Sequence, residues 1–128
     1  MDISLKTGAK GSQEITVNYD HSANKYGSGL VDVFATPAMV ALMEKTCLES
    51  VLFFLPEGFG TVGSAINVNH IKATPMGMKI WCESELMSIE GRKLVFKVRA
   101  WDEVGEIGNG EHTRFIIDNE RFMAKLKG

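Results

Sequence analysis

One long helical segment, residues 36–53 (TPAMVALMEKTCLESVLF), constrains the fold more than any other feature of the chain. A threonine and a proline open it, which favours Thr36 as the N-cap and Pro37 as the first helical residue. Residues 38–43 are all apolar, so the helix lacks a wide polar face. We therefore expect it to be nearly buried beneath another layer of structure.

Strands are predicted on both sides of this helix. Alternating apolar residues predict a first strand at 13–20, followed by a loop at 21–31. After the helix, strand-like segments separated mostly by short turns occupy 60–74, 77–90, 92–103 and 106–118. A short helix or turn with Asn119 as a possible cap closes the chain. This order predicts an α+β fold in one domain, residues 1–128, with a curved antiparallel five-stranded sheet wrapped around the helix.

Composition and charge exclude several classes of function. The net charge is -2 and the pI is near 5.9, without the basic excess of a nucleic-acid-binding protein. No run of about 20 apolar residues predicts a membrane span, and the first residues do not resemble a secretory signal. Cys47 and Cys82 lack the spacing of a zinc site, and we expect both to be reduced thiols in a cytoplasmic protein.

Glu44 interrupts the apolar surface of the helix. Its neighbours three, four and seven residues away are all apolar, and the polar arc of Lys45, Thr46, Glu49 and Ser50 lies on the other side. A buried carboxylate without partners is costly, so Glu44 must find partners or raise its pKa. It either reaches water at the edge of the stripe and has a structural role, or belongs to a functional site.

His70 interrupts a predicted strand in the same way. It points towards the helix if no β-bulge intervenes, because it continues an alternation formed by Val62, Ser64, Ile66 and Val68. Such a histidine is either a hydrogen-bonded core residue or a proton carrier that titrates near neutral pH. Thr36 also has two interpretations, as a helix cap and as a hydroxyl where a helix N-terminus stabilises negative charge.

Other polar residues give weaker signals. His21 lies in a predicted loop, His112 shares a strand face with Arg114, and Gly63 is explained by a β-bulge. The combination of a hydroxyl, a carboxylate and an imidazole around one helix is what predicts a site.

Thr36, Glu44 and His70 are separated by eight and by 26 residues. This spacing resembles that of the fluoroacetyl-CoA-thioesterase-like family of hot-dog proteins, in which a threonine opens the central helix and a glutamate and a histidine follow at these intervals. The similarity runs from about residue 15 to residue 122. It is carried by GSGLVDVFATPAMVALMEKTCLESV, TVGSAINVNHIKATPMGMKI and GRKLVFKVRAWDEVGEIGNGEHTRFIID.

The resemblance implies a hot-dog homodimer, or a dimer of two such dimers, that hydrolyses a short-chain acyl-CoA to carboxylate and CoA. It implies catalytic roles for the three spaced residues and places Gly63 and Arg114 near the substrate. Leu30 and Phe34 correspond to substrate-facing positions that vary within such families, so the acyl group stays open. No metal or other cofactor is expected, since CoA is part of the substrate.

The helix limits how these residues cooperate. Eight residues of helix rise by about 12 Å, so Thr36 and Glu44 of one chain do not both reach one acyl carbon. The substrate either spreads between them or meets Glu44 of a second chain, and both arrangements favour a cleft at a dimer interface. Whether Thr36, Glu44 or a water molecule attacks the thioester is left open.

Three other functions compete with hydrolysis. The first is a hot-dog protein that binds acyl-CoA without turning it over, which the presence of all three residues disfavours. The second is an enoyl-CoA hydratase-type enzyme, whose usual aspartate–histidine pair is not evident. The third is a structural dimer without a ligand, which leaves Glu44 and His70 unexplained.

Overall fold

A single antiparallel sheet with one long helix packed on it forms the structure, a computed structural model that describes residues 4–128. The strands are β1 (Lys10–Thr16), β2 (Phe59–His70), β3 (Lys79–Glu90), β4 (Lys93–Asp102) and β5 (Glu106–Asp118). The helices are α1 (Ala23–Tyr26), α2 (Thr36–Leu52) and α3 (Asn119–Leu126). All neighbouring strands are antiparallel, in the order β1-β3-β4-β5-β2, which confirms the predicted class.

The first strand lies three residues earlier than predicted and ends before Tyr19. The Asn18 side chain accepts a hydrogen bond from the backbone of Asp20, while Nδ1 of His21 accepts one from the backbone of Asn18. This capping box turns the chain into a short 3-10 helix, Tyr19–His21. Local hydrogen bonds of this kind compete with strand pairing, so the alternating pattern that continues to Tyr19 overestimates the strand.

The connection between β2 and β3 does not join neighbouring strands, although the predicted order of strands and turns favoured such a pair. β2 ends at His70, and residues 71–78 cross the structure, so that β2 pairs with β5 and β3 pairs with β1. Short turns join antiparallel neighbours only in the pairs β3–β4 and β4–β5. As a result β2 is an edge strand of twelve residues, with one side open to further pairing.

Helix α2 is buried on one face only, so the expectation of a nearly buried helix is wrong for the single chain. The buried face consists of Ala38, Met39, Leu42, Met43, Thr46, Cys47 and Val51. Ala41, Lys45 and Glu49 are exposed on the other side. One sheet covers one side of a helix, and an apolar residue such as Ala41 is left for solvent or for a second chain.

Both cysteines are free thiols in the core, as predicted. Burial raises the pKa of Cys47 to about 12 and that of Cys82 to about 11, so both stay protonated at neutral pH. Among residues 4–128, no helix has the length and apolar character needed to cross a membrane.

A buried carboxylate ties the 71–78 segment to the sheet. Asp102 accepts hydrogen bonds from Lys72 Nζ, from Thr74 Oγ1 at 2.7 Å, and from two backbone N–H groups of the β4–β5 turn. The backbone of Thr74 in turn accepts a hydrogen bond from Phe34 N at 2.8 Å. The cluster therefore holds the segment before α2 against the segment after β2.

We expect Asp102→Asn to lower the free energy of unfolding by about 1–3 kcal/mol at neutral pH. Burial alone would raise the pKa of Asp102, but its hydrogen bonds outweigh burial and lower it to about 2. The charged form is thus favoured by folding, and its contribution is present above pH 4 and is lost as the pH falls through about 2. Urea unfolding between pH 5 and pH 2 should show a steeper loss in the unsubstituted protein than in the variant.

The control is Glu111→Gln, which neutralises an exposed carboxylate on β5. Equal pH dependence in the Asp102→Asn variant and in the unsubstituted protein would contradict this account of the cluster.

Candidate active site

The end of β2 and the start of α2 bring Thr36 and His70 together. Thr36 Oγ1 lies 2.8 Å from His70 Nδ1. The N-cap of α2 is Ala35, which has no side-chain capping bond, and Thr36 is the first helical residue. The prediction of Thr36 as N-cap is therefore wrong, because its hydroxyl is engaged with the imidazole.

The His70 ring is partly buried and packs against an aromatic side chain. The ring of Phe34, which is 1% exposed, packs edge-on against it with centroids 6.3 Å apart. Burial lowers the pKa of His70 and favours the neutral ring, which is the form that accepts a proton. Its Nε2 is buried and has no hydrogen-bonding partner within residues 4–128.

An open cavity of about 460 Å³ lies over this pair. Its lining includes Phe34, Thr36, His70, Ile71 and Lys72. The other predicted substrate-facing residue, Leu30, lies on the preceding loop and is 95% exposed. The substrate contacts of Leu30 and Phe34 stay predictions.

A second polar cluster surrounds Glu44, at the middle of α2. Arg114 Nη1 is 3.9 Å from Glu44 Oε1. The Arg114 side chain is 7% exposed, whereas that of Glu44 is 43% exposed, so in the single chain the carboxylate reaches water at the edge of the apolar stripe, which is one of the two alternatives left open by the sequence. Burial lowers the pKa of Arg114 and the Glu44 carboxylate opposes this change, but an arginine stays a cation.

Arg114 is oriented by Thr61 and His112. Its Nε donates to Thr61 Oγ1 at 2.7 Å, its Nη2 donates to Thr61 O at 3.0 Å, and its Nη1 lies 3.0 Å from His112 Nε2. Burial lowers the pKa of His112, and Arg114 acts in the same direction. Thr61 was not a candidate from the sequence, and His112 was a weak one. The signal for His112 was its alternation with Arg114 on a strand face.

Gly63 lies directly over this cluster. A Cβ atom on it would be 3.1 Å from His112 Cε1, 3.2 Å from Glu44 Oε1 and 3.3 Å from Arg114 Nη1. The register of β2 against β5 shifts between Gly63 and Ala65, so a β-bulge is present. The extra residue lets both Gly63 and His70 face the helix, which strict alternation from Val62 does not allow.

Each chain therefore holds two polar clusters, one around Thr36 and His70 and one around Glu44, Gly63 and Arg114. Eight helical residues, or about 12 Å of rise, separate Thr36 from Glu44. Over residues 4–128, no three histidine, cysteine, aspartate or glutamate side chains are grouped as they would be around a metal ion.

Comparison with known proteins connects this architecture with thioester hydrolysis. The family model described as "FlK: Fluoroacetyl-CoA-specific thioesterase" matches residues 17–120. The fluoroacetyl-CoA thioesterase of Streptantibioticus cattleyicolor is 46% identical over 96 residues, which cover 75% of this chain and 69% of that protein.

Solved structures agree with this assignment. A structure of the fluoroacetyl-CoA thioesterase FlK has a TM-score of 0.89 at 36% identity, covering 97% of this chain and 96% of that one. A Thermus thermophilus protein described as a thioesterase superfamily member has a TM-score of 0.86 at 27% identity, covering 95% and 90%.

The fold and its relatives define a hot-dog-fold thioester hydrolase that acts on short-chain acyl-CoA. Within that class, the chain belongs to the family of fluoroacetyl-CoA-specific thioesterases.

Proposed function

We propose that this chain hydrolyses short-chain acyl-CoA thioesters with Thr36, His70 and Glu44, in active sites shared between two subunits. The observation that carries the proposal is the 2.8 Å contact between Thr36 Oγ1 and His70 Nδ1 beside an open cavity. Thioester hydrolysis needs a nucleophile, a proton acceptor and stabilisation of the oxyanion. The contact supplies the first two.

His70 acts as the general base in this proposal. Its neutral ring, favoured by burial, accepts the proton of the Thr36 hydroxyl or of a water molecule held by that hydroxyl. The attacking oxygen then adds to the thioester carbon, the C–S bond breaks, and the protonated ring gives the proton to the departing CoA thiolate. When water attacks, this step releases the carboxylate directly; when Thr36 attacks, the acyl group stays on its oxygen as an ester, and a water molecule deprotonated by His70 hydrolyses that ester and restores the hydroxyl. Thr36 is also the first residue of α2, where the helix N-terminus favours the developing negative charge.

Glu44 completes the site from the second subunit. In one chain it lies too far along α2 to meet an acyl group that contacts Thr36. When two copies of β2 pair antiparallel about the middle of the 63–70 segment, the Gly63 end of one strand lies beside the His70 end of the other. The cluster of Glu44, Gly63 and Arg114 then faces the partner's cavity, where Gly63 and Arg114 contact the substrate.

The open edge of β2 supports this dimer. It is twelve residues long, and Gly63, Ser64 and Ala65 in its middle are exposed. A long unpaired edge is a liability that proteins cover or pair. The apolar side chains left exposed nearby in sequence, Leu52 and Phe53, are 45% and 90% exposed in the single chain.

We expect light scattering at micromolar concentration to give twice the 14.1 kDa of one chain, or four times that mass if two dimers associate. Strand pairing along β2 and burial of the exposed face of α2 are the physical reasons. A species of one-chain mass at that concentration would rule out the shared site.

The substrate follows from a panel of acyl-CoA thioesters assayed with a thiol reagent. The panel starts with fluoroacetyl-CoA, the substrate for which the relatives are named, and continues with acetyl-CoA, longer acyl chains and charged acyl groups. We expect turnover of the short members. Saturable binding of these thioesters without release of CoA would instead identify a binding protein of the same fold.

The same proposal places the protein in the cytoplasm as one domain over residues 1–128, with no metal or cofactor besides the CoA of its substrate. Its two free buried thiols are compatible with a reducing compartment. Nucleic acids and membranes are not among the proposed partners.

A further inference from the structure

The two ring nitrogens of His112 have different partners, and these partners fix its protonation. His112 is 2% exposed, with Nδ1 2.8 Å from the carbonyl oxygen of Ala65 and Nε2 3.0 Å from Arg114 Nη1. A carbonyl only accepts a hydrogen bond, so Nδ1 carries the proton and donates it. A guanidinium only donates, so Nε2 is unprotonated and accepts. His112 is therefore a neutral imidazole in one tautomer.

This acceptor completes the orientation of Arg114. The guanidinium is planar, and each of its three nitrogens donates one hydrogen bond, two of them to Thr61 and one to His112. Its plane is therefore fixed by partners on β2 and β5. The remaining N–H of Nη1 is left for the space beside Gly63, where Glu44 Oε1 lies 3.9 Å from Nη1.

We infer that His112 is a positioning residue for the reaction: as a neutral acceptor it holds Arg114 so that Nη1 faces the Glu44 carboxylate. This inference rests on the proposed role of Glu44. The competing explanation is that His112 only fastens the β-bulge through its bond to Ala65. The two roles use different ring nitrogens, so they are separable by substitution.

Two substitutions of similar size separate them. In His112→Gln, the side-chain oxygen falls near the position of Nε2 and can accept the bond from Arg114. In His112→Asn, the shorter amide reaches the carbonyl of Ala65 but not Arg114. A hydrogen bond to a charged group contributes enough free energy that its removal in His112→Asn should lower kcat about ten- to one-hundred-fold.

We expect His112→Gln to keep kcat within about five-fold, and His112→Asn to lose about ten- to one-hundred-fold in kcat with a smaller change in KM. Melting temperatures measured on the same preparations exclude unfolded protein as the cause. Equal kcat values for the two folded variants, or a larger loss in His112→Gln, would overturn the inference.

Nitrogen NMR of the unsubstituted protein gives a second test that needs no variant and no activity. We expect the His112 ring at pH 7 to carry its proton on Nδ1 only, and the Arg114 Nε–H to exchange slowly with water. A doubly protonated ring or an Nε2–H tautomer would overturn the inference. If Glu44→Gln is fully active but the NMR result is as expected, the proposed role of Glu44 fails while the orientation of Arg114 stands.

Discussion

Replacement of His70 by alanine should lower kcat by about 10²–10⁴-fold while the melting temperature stays nearly unchanged. The imidazole is the only group in contact with the Thr36 hydroxyl among the hydrogen bonds of the described residues, so its removal leaves that oxygen without a base. The KM should change less, because His70 acts on the proton rather than on the CoA. The ring borders an open cavity, which water fills after the substitution.

His21→Ala is the matched control for this variant. His21 packs edge-on against the Phe34 ring, which also contacts His70, at a centroid distance of 6.2 Å. The substitution also removes one imidazole from this region but leaves the contact between Thr36 and His70 in place, so kcat should change by less than about five-fold. A His70→Ala variant that keeps full activity per folded molecule but melts at a clearly lower temperature would make His70 a structural residue.

Replacement of Glu44 by glutamine should lower kcat by about 10²–10³-fold, with little effect on stability. The substitution keeps the shape of the side chain and removes the charge that faces Arg114. At 3.9 Å and 43% exposure the ion pair contributes little to folding, so a loss of activity reports on the reaction.

Glu49→Gln provides the control for this variant on the same helix. Glu49 is exposed on the outer side of α2, where its carboxylate accepts a hydrogen bond from Gln13. We expect Glu49→Gln to retain activity. Equal kcat values for Glu44→Gln and Glu49→Gln would remove Glu44 from the proposed mechanism.

Much of the fold was predictable because its signals are local and periodic. The position of α2, to within one residue at each end, and the bounds of β5 match the sequence pattern, since side-chain alternation and helix breakers act within a few residues. The exchange of partners between β2 and β3 was not predictable, because it depends on the path of residues 71–78. That path is set by long-range hydrogen bonds to Asp102. In the sequence, Asp102 has only the signal of a turn residue.

The candidate site was predictable in its residue types but not in its geometry. Thr36 and His70 were expected near one helix, but the sequence favoured a capping role that the structure assigns to Ala35. The β-bulge between Gly63 and Ala65 changes which residues of β2 face the helix, and one added residue leaves no periodic signal. Likewise, a helical-wheel projection of α2 places Glu44 in an apolar stripe, but it does not show that the sheet covers only part of that stripe.

Activity of a purified heterodimer tests the shared site most directly. One subunit carries His70→Ala, the other carries Glu44→Gln, and different affinity tags allow isolation of the mixed species. When each site takes Thr36 and His70 from one chain and Glu44 from the other, the heterodimer has one doubly defective site and one intact site. We therefore expect about half of the unsubstituted activity per dimer. Activity no higher than that of the two single-variant homodimers would show that all three residues act within one chain, and would contradict the account.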